Sequence, residues 1–190
     1  MVNEIFLKPY SVRWTKIARR IRVPLGFAFA AIYVWLARPG FRSIIVGTAF
    51  IAAGLLLRAV ASAHIQKNQE LTVSGPYAYT RNPLYLGSLI LAAGFAIAAR
   101  SGWVVVLIMA FFGLIYYPVI IAEEEFLAES FVEFAEYSRA VPRFLVRLSP
   151  YRARTSGFSW DRYRKHREYN SLLGSAALLT ALILKMRLRL

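Results

Sequence analysis

Four apolar stretches leave this chain few ways to avoid a membrane. They run from about Val23 to Ala37, Ser43 to Ala63, Pro83 to Ala99 and Trp103 to Ala122, and Arg58 is the one charged residue inside them. At ~1.5 Å per residue the second reaches about 31 Å, the thickness of a hydrocarbon core. The first is short for a span unless flanking side chains snorkel to the interface, and Arg58 lies close enough to a helix end to do the same. Composition agrees, with 58% hydrophobic residues and 18% charged, where soluble domains hold roughly 45–50% and about 25%. The expected fold is therefore all-α: a polytopic helical membrane protein with at least four transmembrane helices. Amphipathic and C-terminal helices are expected at the cytoplasmic face.

Charge orients the spans. The net charge is +14, which in a soluble chain would point to nucleic acid. Here the basic residues lie between and after apolar segments, where they serve topology and anionic headgroups, so no nucleic-acid partner is expected. Lys8, Arg13, Lys16, Arg19, Arg20 and Arg22 precede the first span, and nine Lys or Arg lie between Arg139 and Arg167. Arg38, Arg42 and Arg100 would face the other side. The N-terminus, the 64–82 loop and everything after residue 122 are thus expected in the cytoplasm, in an inner membrane of prokaryotic type. No small-residue cleavage site follows the first apolar run, so a cleavable signal is not expected.

The chain divides into residues 1–63 with two spans, residues 64–145 with a helical hairpin, and a basic extension over 146–190. Arg100-Ser101-Gly102 breaks the hairpin, and Pro118 should kink its second helix near its end. Residues 123–137 alternate Phe126, Leu127, Phe131 and Phe134 with acidic positions, which reads as a helix leaving along the inner surface. Ser171–Leu184 is apolar but short, and is expected to be interfacial or re-entrant rather than a full span. Without cysteine, and with only His64 and His166, no disulfide or catalytic zinc is expected, and no metal site is assigned. Nothing in the sequence sets an oligomeric state.

Two places concentrate polar groups. In the first, Ser74-Gly75-Pro76 is a turn signal, and Asn82 before Pro83 sits where a helix cap would. The positive end of that helix suits a carboxylate or phosphate. On these residues alone the first reading is an ordinary connecting loop with a normal cap and tyrosine anchors. In the second, Glu123-Glu124-Glu125 closes an apolar run, where three carboxylates repel one another and oppose a helix C-terminus. They are either solvated, paired with Arg81, Arg139 or Arg143, or placed to meet a cationic ligand.

Taken in order, Gly75-Pro76-Tyr77, Arg81-Asn82-Pro83-Leu84-Tyr85-Leu86-Gly87, Glu123-Glu124-Glu125-Phe126-Leu127, Phe131, Phe134, Tyr137 and Val141-Pro142-Arg143 form one pattern. It resembles that of the isoprenylcysteine carboxyl methyltransferase and phospholipid methyltransferase group of membrane enzymes, over roughly residues 64–145. The resemblance implies S-adenosylmethionine as methyl donor and a lipid or lipid-linked acceptor. It implies cofactor contacts from Gln66, Gln69, Glu70, Leu71, Thr72, Tyr77, Asn82, Pro83, Leu84, Tyr85 and Glu123. Arg81, Tyr85 and Glu124 are the candidate catalytic groups. Three positions depart from the pattern. Asn82 stands where many members have His. Val132 replaces a Gly, so the helix there is expected to run on. Val119 replaces the Arg that addresses a prenylcysteine carboxylate, which leaves the acceptor open. The rival readings are an NADPH-dependent reductase of the sterol reductase kind and a non-catalytic membrane scaffold.

Overall fold

The computed structural model describes residues 12–65, 70–152 and 157–188. Gln66 and Gln69 lie outside the described residues. Among those described, every regular element is helical, so the chain is all-α.

Helix α1 covers Val12–Leu36 and α2 Phe41–His64. Helix α1 starts well before the apolar boundary at Val23, because its basic N-terminal residues are themselves good helix formers. Helix α3, Pro83–Ala99, matches its expected bounds, with proline in the first turn where its missing N–H costs nothing. It ends at Arg100 in the left-handed conformation, φ 49°, and the chain turns straight into α4, Gly102–Phe111.

Helix α4 continues through a π-helical turn, Phe112–Tyr116, into α5, Tyr117–Ser130. Together they make one apolar rod of 29 residues. The sequence placed a kink near the end of this helix. The disturbance instead sits mid-rod, in the turn just before Pro118, where the missing proline N–H upsets the regular i to i−4 ladder. The rod also passes the three glutamates without stopping, so they do not oppose a helix C-terminus as the sequence suggested. It breaks at Phe131, whose backbone is extended, before α6, Phe134–Ala140. Val132 was expected to let the helix run on. It lies in the break, 94% exposed, and its side chain has no apolar partner to make continuation favourable.

After α7, Trp160–Lys165, comes α8, Tyr169–Leu188. This corrects the expectation for 171–184: α8 has 20 residues and is long and apolar enough to cross a membrane, as are α2 and the α4–α5 rod. Pro24–Leu36 and α3 are shorter apolar helices. The extra length of α8 comes from polar residues at both ends, which apolar counting omits. Arg58 does not snorkel either. Its Nε and Nη2 bond both oxygens of Glu168 at 2.9–3.1 Å, and Nη1 reaches Ser88 and the Leu84 carbonyl. At the far end of α8, Lys185 Nζ donates to the Val34 and Trp35 carbonyls at 2.8 Å, capping α1. Helix α8 therefore runs from the Arg58 end of the bundle to the opposite one. Lys185 and Arg187 consequently join Arg38, Arg42 and Arg100 there, rather than lying with residues 123–167.

Helices α2 and α3 form the most extensive pair. They run antiparallel, with Gly47 against Gly94 and Gly54 against Gly87. A Cβ on Gly54 would come within 2.6 Å of the Gly87 carbonyl oxygen, and one on Gly47 within 2.6 Å of the Gly94 oxygen. In lipid, helix association depends on such close backbone approach more than on the hydrophobic effect. This contact fixes where the first turn of α3 stands relative to α2.

Candidate functional site: a pocket between two helix ends

The loop before α3 and the carboxylates of α5 meet at one end of the bundle. Asn82 Nδ2 donates to Glu124 Oε1 at 2.7 Å, and Tyr85 Oη to Glu123 Oε2 at 3.1 Å. Asn82 does occupy the cap position of α3, but its side chain caps no backbone N–H. It turns to Glu124 instead, where its amide N–H meets a buried carboxylate that needs a donor.

Adjacent positions on a helix diverge by about 100°, and here that separates three carboxylates into three surroundings. Glu124 is buried. It accepts from Arg143 Nε and Nη2 at 3.1 and 2.8 Å, and Arg81 Nη1 lies 3.6 Å away. Glu123 is half-buried and Glu125 exposed. Pairing with Arg81 and Arg143 is thus the arrangement at Glu124, while Glu123 meets only Tyr85 among the hydrogen bonds found. The hydrogen bonds that Arg143 donates to Glu124 raise its pKa above the ordinary value, against the opposing pull of partial burial. Arg143 also donates to Tyr117 Oη and lies over that ring.

The segment after α6 laces this end shut. Arg81 N donates to Pro142 O, Arg147 N to Tyr79 O, and Tyr151 N to Ala78 O, each at 3.0 Å. Thr80 Oγ1 donates to the Arg143 carbonyl. Tyr137 Oη donates to the Tyr77 carbonyl at 2.8 Å. Val73, Phe134, Tyr137 and Val141 pack beneath these bonds as a small core of their own. Gly75, at φ +57°, lets the loop turn against the His64 ring, where any Cβ would collide.

These elements enclose a cavity of about 200 Å³. Of the residues expected from sequence, Glu70, Leu71, Thr72, Tyr77, Arg81, Asn82, Glu123 and Glu124 line it. Pro83, Leu84 and Tyr85 do not, although Tyr85 reaches the pocket's Glu123. Ile65, Phe126, Leu127, Phe131, Phe134 and Tyr137 line it too and were not singled out as site residues. The helical spacing of Leu127, Phe131 and Phe134 marked an apolar face, but spacing alone does not say whether such a face meets core, lipid or ligand. Val119, at the family's arginine position, is buried with Ile115 against Ile21 of α1.

Two polar atoms in this pocket have no hydrogen-bond partner among the described residues: Tyr77 Oη and Arg81 Nε. A buried polar atom left alone costs roughly 1–3 kcal/mol. Burial pushes the Tyr77 and Tyr137 hydroxyls well above the ordinary tyrosine range. Both therefore stay protonated in the folded state while their unfolded counterparts ionise near pH ~10. This contribution is complete below pH ~10 and is lost as pH rises beyond it. We expect thermal unfolding scanned from pH 8 to 11 to show a steep alkaline decline that Tyr77→Phe makes shallower. An unchanged decline in the variant would contradict the burial of Tyr77.

Residues 24–133 match the phospholipid methyltransferase family. Over 91 residues the chain is 42% identical to the cobalt-zinc-cadmium resistance protein CzcN of Cupriavidus metallidurans, covering 48% of this chain and 42% of that protein. It is 33% identical over 91 residues to the nickel-cobalt-cadmium resistance protein NccN of Alcaligenes xylosoxydans xylosoxydans, covering 48% and 43%. In each case the match takes in less than half of the relative's length. No solved structure matches.

Proposed function

We propose, from the premise that the chain belongs to the phospholipid methyltransferase family, that it moves a methyl group from S-adenosylmethionine to a lipid or lipid-linked acceptor. The observation that carries this reading is the convergence of Asn82, Arg81 and Glu123 on one pocket that also holds the unpartnered Tyr77 Oη and Arg81 Nε.

The donor set fits the cofactor's charges. S-adenosylmethionine combines a sulfonium and an ammonium with a carboxylate. Glu123 offers negative charge with no arginine ion pair among the described residues, and Arg81 Nε offers a donor to a carboxylate. Tyr77 offers a hydroxyl, and Phe131, Phe134 and Tyr137 give apolar and aromatic surface to a nucleoside or a sulfonium.

When bound, the cofactor supplies a methyl group already activated on positively charged sulfur. The chain's own share is alignment and exclusion of water. Glu124 serves as a positioning residue: Asn82 and two arginines hold its charge in place, and it in turn sets where Arg81 and Asn82 stand. Where the acceptor must lose a proton, Tyr85 Oη can accept it while passing its own to Glu123 Oε2. The pocket's side of the membrane is taken as cytoplasmic, because the basic residues between Arg139 and Arg167 lie with it. The relatives' names concern metal resistance, which describes an outcome for the cell and is compatible with methylation of a membrane component.

The test is titration of the purified protein with S-adenosylmethionine, and separately with NADPH. Incubation with methyl-labelled donor and a total lipid extract follows. Binding of the methyl donor and a labelled lipid product are expected. Saturable binding of NADPH alone would replace this reading with a reductase.

A further inference from the structure

The acidic residues of this chain are gathered in one region. Its net charge is +14, yet of its ten acidic residues Glu70 and the six between Glu123 and Glu136 fall in the segments that build the pocket described above. Glu70 and Phe126 line that pocket and are exposed as well, so it opens to water there. Glu125 is the chain neighbour of Phe126, and Glu129 stands one helical turn on from both, in α5. Glu133 lies between Phe131 and Phe134, which line the same pocket. Glu125, Glu129 and Glu133 are exposed, and none of the three lines the pocket itself or forms an ion pair among the described residues. Glu124 and Glu136, by contrast, are held by arginines. The rim is therefore locally negative on a positive protein. Local structure gains nothing from it, because like charges one turn apart, as at Glu125 and Glu129, destabilise a helix. The pocket behind the rim holds a polar group without a partner: Tyr77 is 7% exposed, and its Oη meets no hydrogen-bond partner among the described residues.

We propose that Glu125, Glu129 and Glu133 form an electrostatic funnel that draws a small organic cation through the rim into this pocket. That the cation is S-adenosylmethionine rests on the functional reading above; capture by charge does not. S-adenosylmethionine carries one net positive charge. Once the methyl group has left, sulfur is a neutral thioether, and the product S-adenosylhomocysteine carries no net charge. Long-range attraction therefore acts on the donor and not on the product, although the two share one shape. A cleft focuses such a field and speeds association, whereas the charge of the whole chain would slow a cation's approach. Carboxylates on the rim that do not line the pocket change the rate of entry and its salt dependence, and leave the rate of exit alone. The rim thus admits fresh donor faster than spent product returns.

The experiment immobilises the full chain in a neutral maltoside detergent, so that no lipid charge contributes. Association and dissociation of S-adenosylmethionine and of S-adenosylhomocysteine are followed by surface plasmon resonance at several salt concentrations. The variant is the triple substitution Glu125→Gln, Glu129→Gln and Glu133→Gln, which keeps size and removes charge. At ~10 mM salt, where the Debye length is about 30 Å, it should take up S-adenosylmethionine about fivefold more slowly than the parent. At ~1 M salt, where that length is about 3 Å, the two should agree. Dissociation of the donor and both rates for S-adenosylhomocysteine should match the parent's, which also reports that the variant folds. Equal slowing of both ligands, or a parent whose uptake of the donor does not depend on salt, would overturn the funnel and leave the methyl-transfer reading in place. A parent that binds neither ligand overturns both.

Discussion

Replacing Glu124 by alanine is expected to remove about 3 kcal/mol of stability, whereas Glu123→Gln should leave stability almost unchanged and abolish binding of the methyl donor. The first figure is the lower end of the range for breaking a buried ion pair from one side. The lower end applies because Arg143 keeps 29% of its side chain exposed, although Glu124 itself is only 9% exposed. Alanine would leave Arg81 and Arg143 facing each other without a counterion, and Asn82 without its acceptor. For a chain of this size the loss lowers the melting temperature by roughly 6–12 °C. Glu123 contributes one bond to Tyr85, and glutamine keeps an acceptor for it. The two variants are therefore expected to divide these neighbours into a structural and a donor-binding carboxylate. Thermal unfolding in detergent and donor titration on both variants measure the division. Equal loss of stability from both, or undiminished donor binding by Glu123→Gln, would show that it is drawn wrongly.

Gly54→Leu should be at least as damaging, by about 3 kcal/mol, the upper end of the cost of overpacking. The new Cβ would meet the Gly87 carbonyl oxygen and the Leu91 nitrogen, both at 2.6 Å. Both are backbone atoms, so no side chain can rotate away, and α2 and α3 must separate. The first turn of α3 then moves relative to α5, and Asn82 and Tyr85 lose their carboxylates. Donor affinity is accordingly expected to fall together with stability. Gly102→Ala, with nothing within 4 Å of its Cβ position, serves as the control and should change stability by less than ~0.5 kcal/mol. A Gly54→Leu protein that melts with its parent would refute the close crossing.

Sequence periodicity located α2 and α3 to within a few residues, because an uninterrupted apolar run bounded by Gly or Pro leaves a helix few alternatives. It underestimated α1 and α8, whose ends are polar yet helical, and therefore put Lys185 and Arg187 at the wrong end of the bundle. The motif residues named most of one pocket wall. Arg143 was one of three named partners for the glutamates, but the aromatic wall from Phe126 to Tyr137 was harder to see, since it depends on the chain breaking at Phe131 and folding back over the loop.

Composition and spacing alone decided that this chain is helical, apolar and membrane-bound, with its acidic and amide-bearing motifs at the ends of two neighbouring apolar runs. Those properties follow from local chemistry: where water would be displaced, where a proline can start a helix, where charge collects. Both glutamates line the pocket, and which of them is locked by arginines and which meets a tyrosine was decided only by the tertiary structure. A rotation of about 100° between adjacent helical positions has no meaning until another element packs against one side.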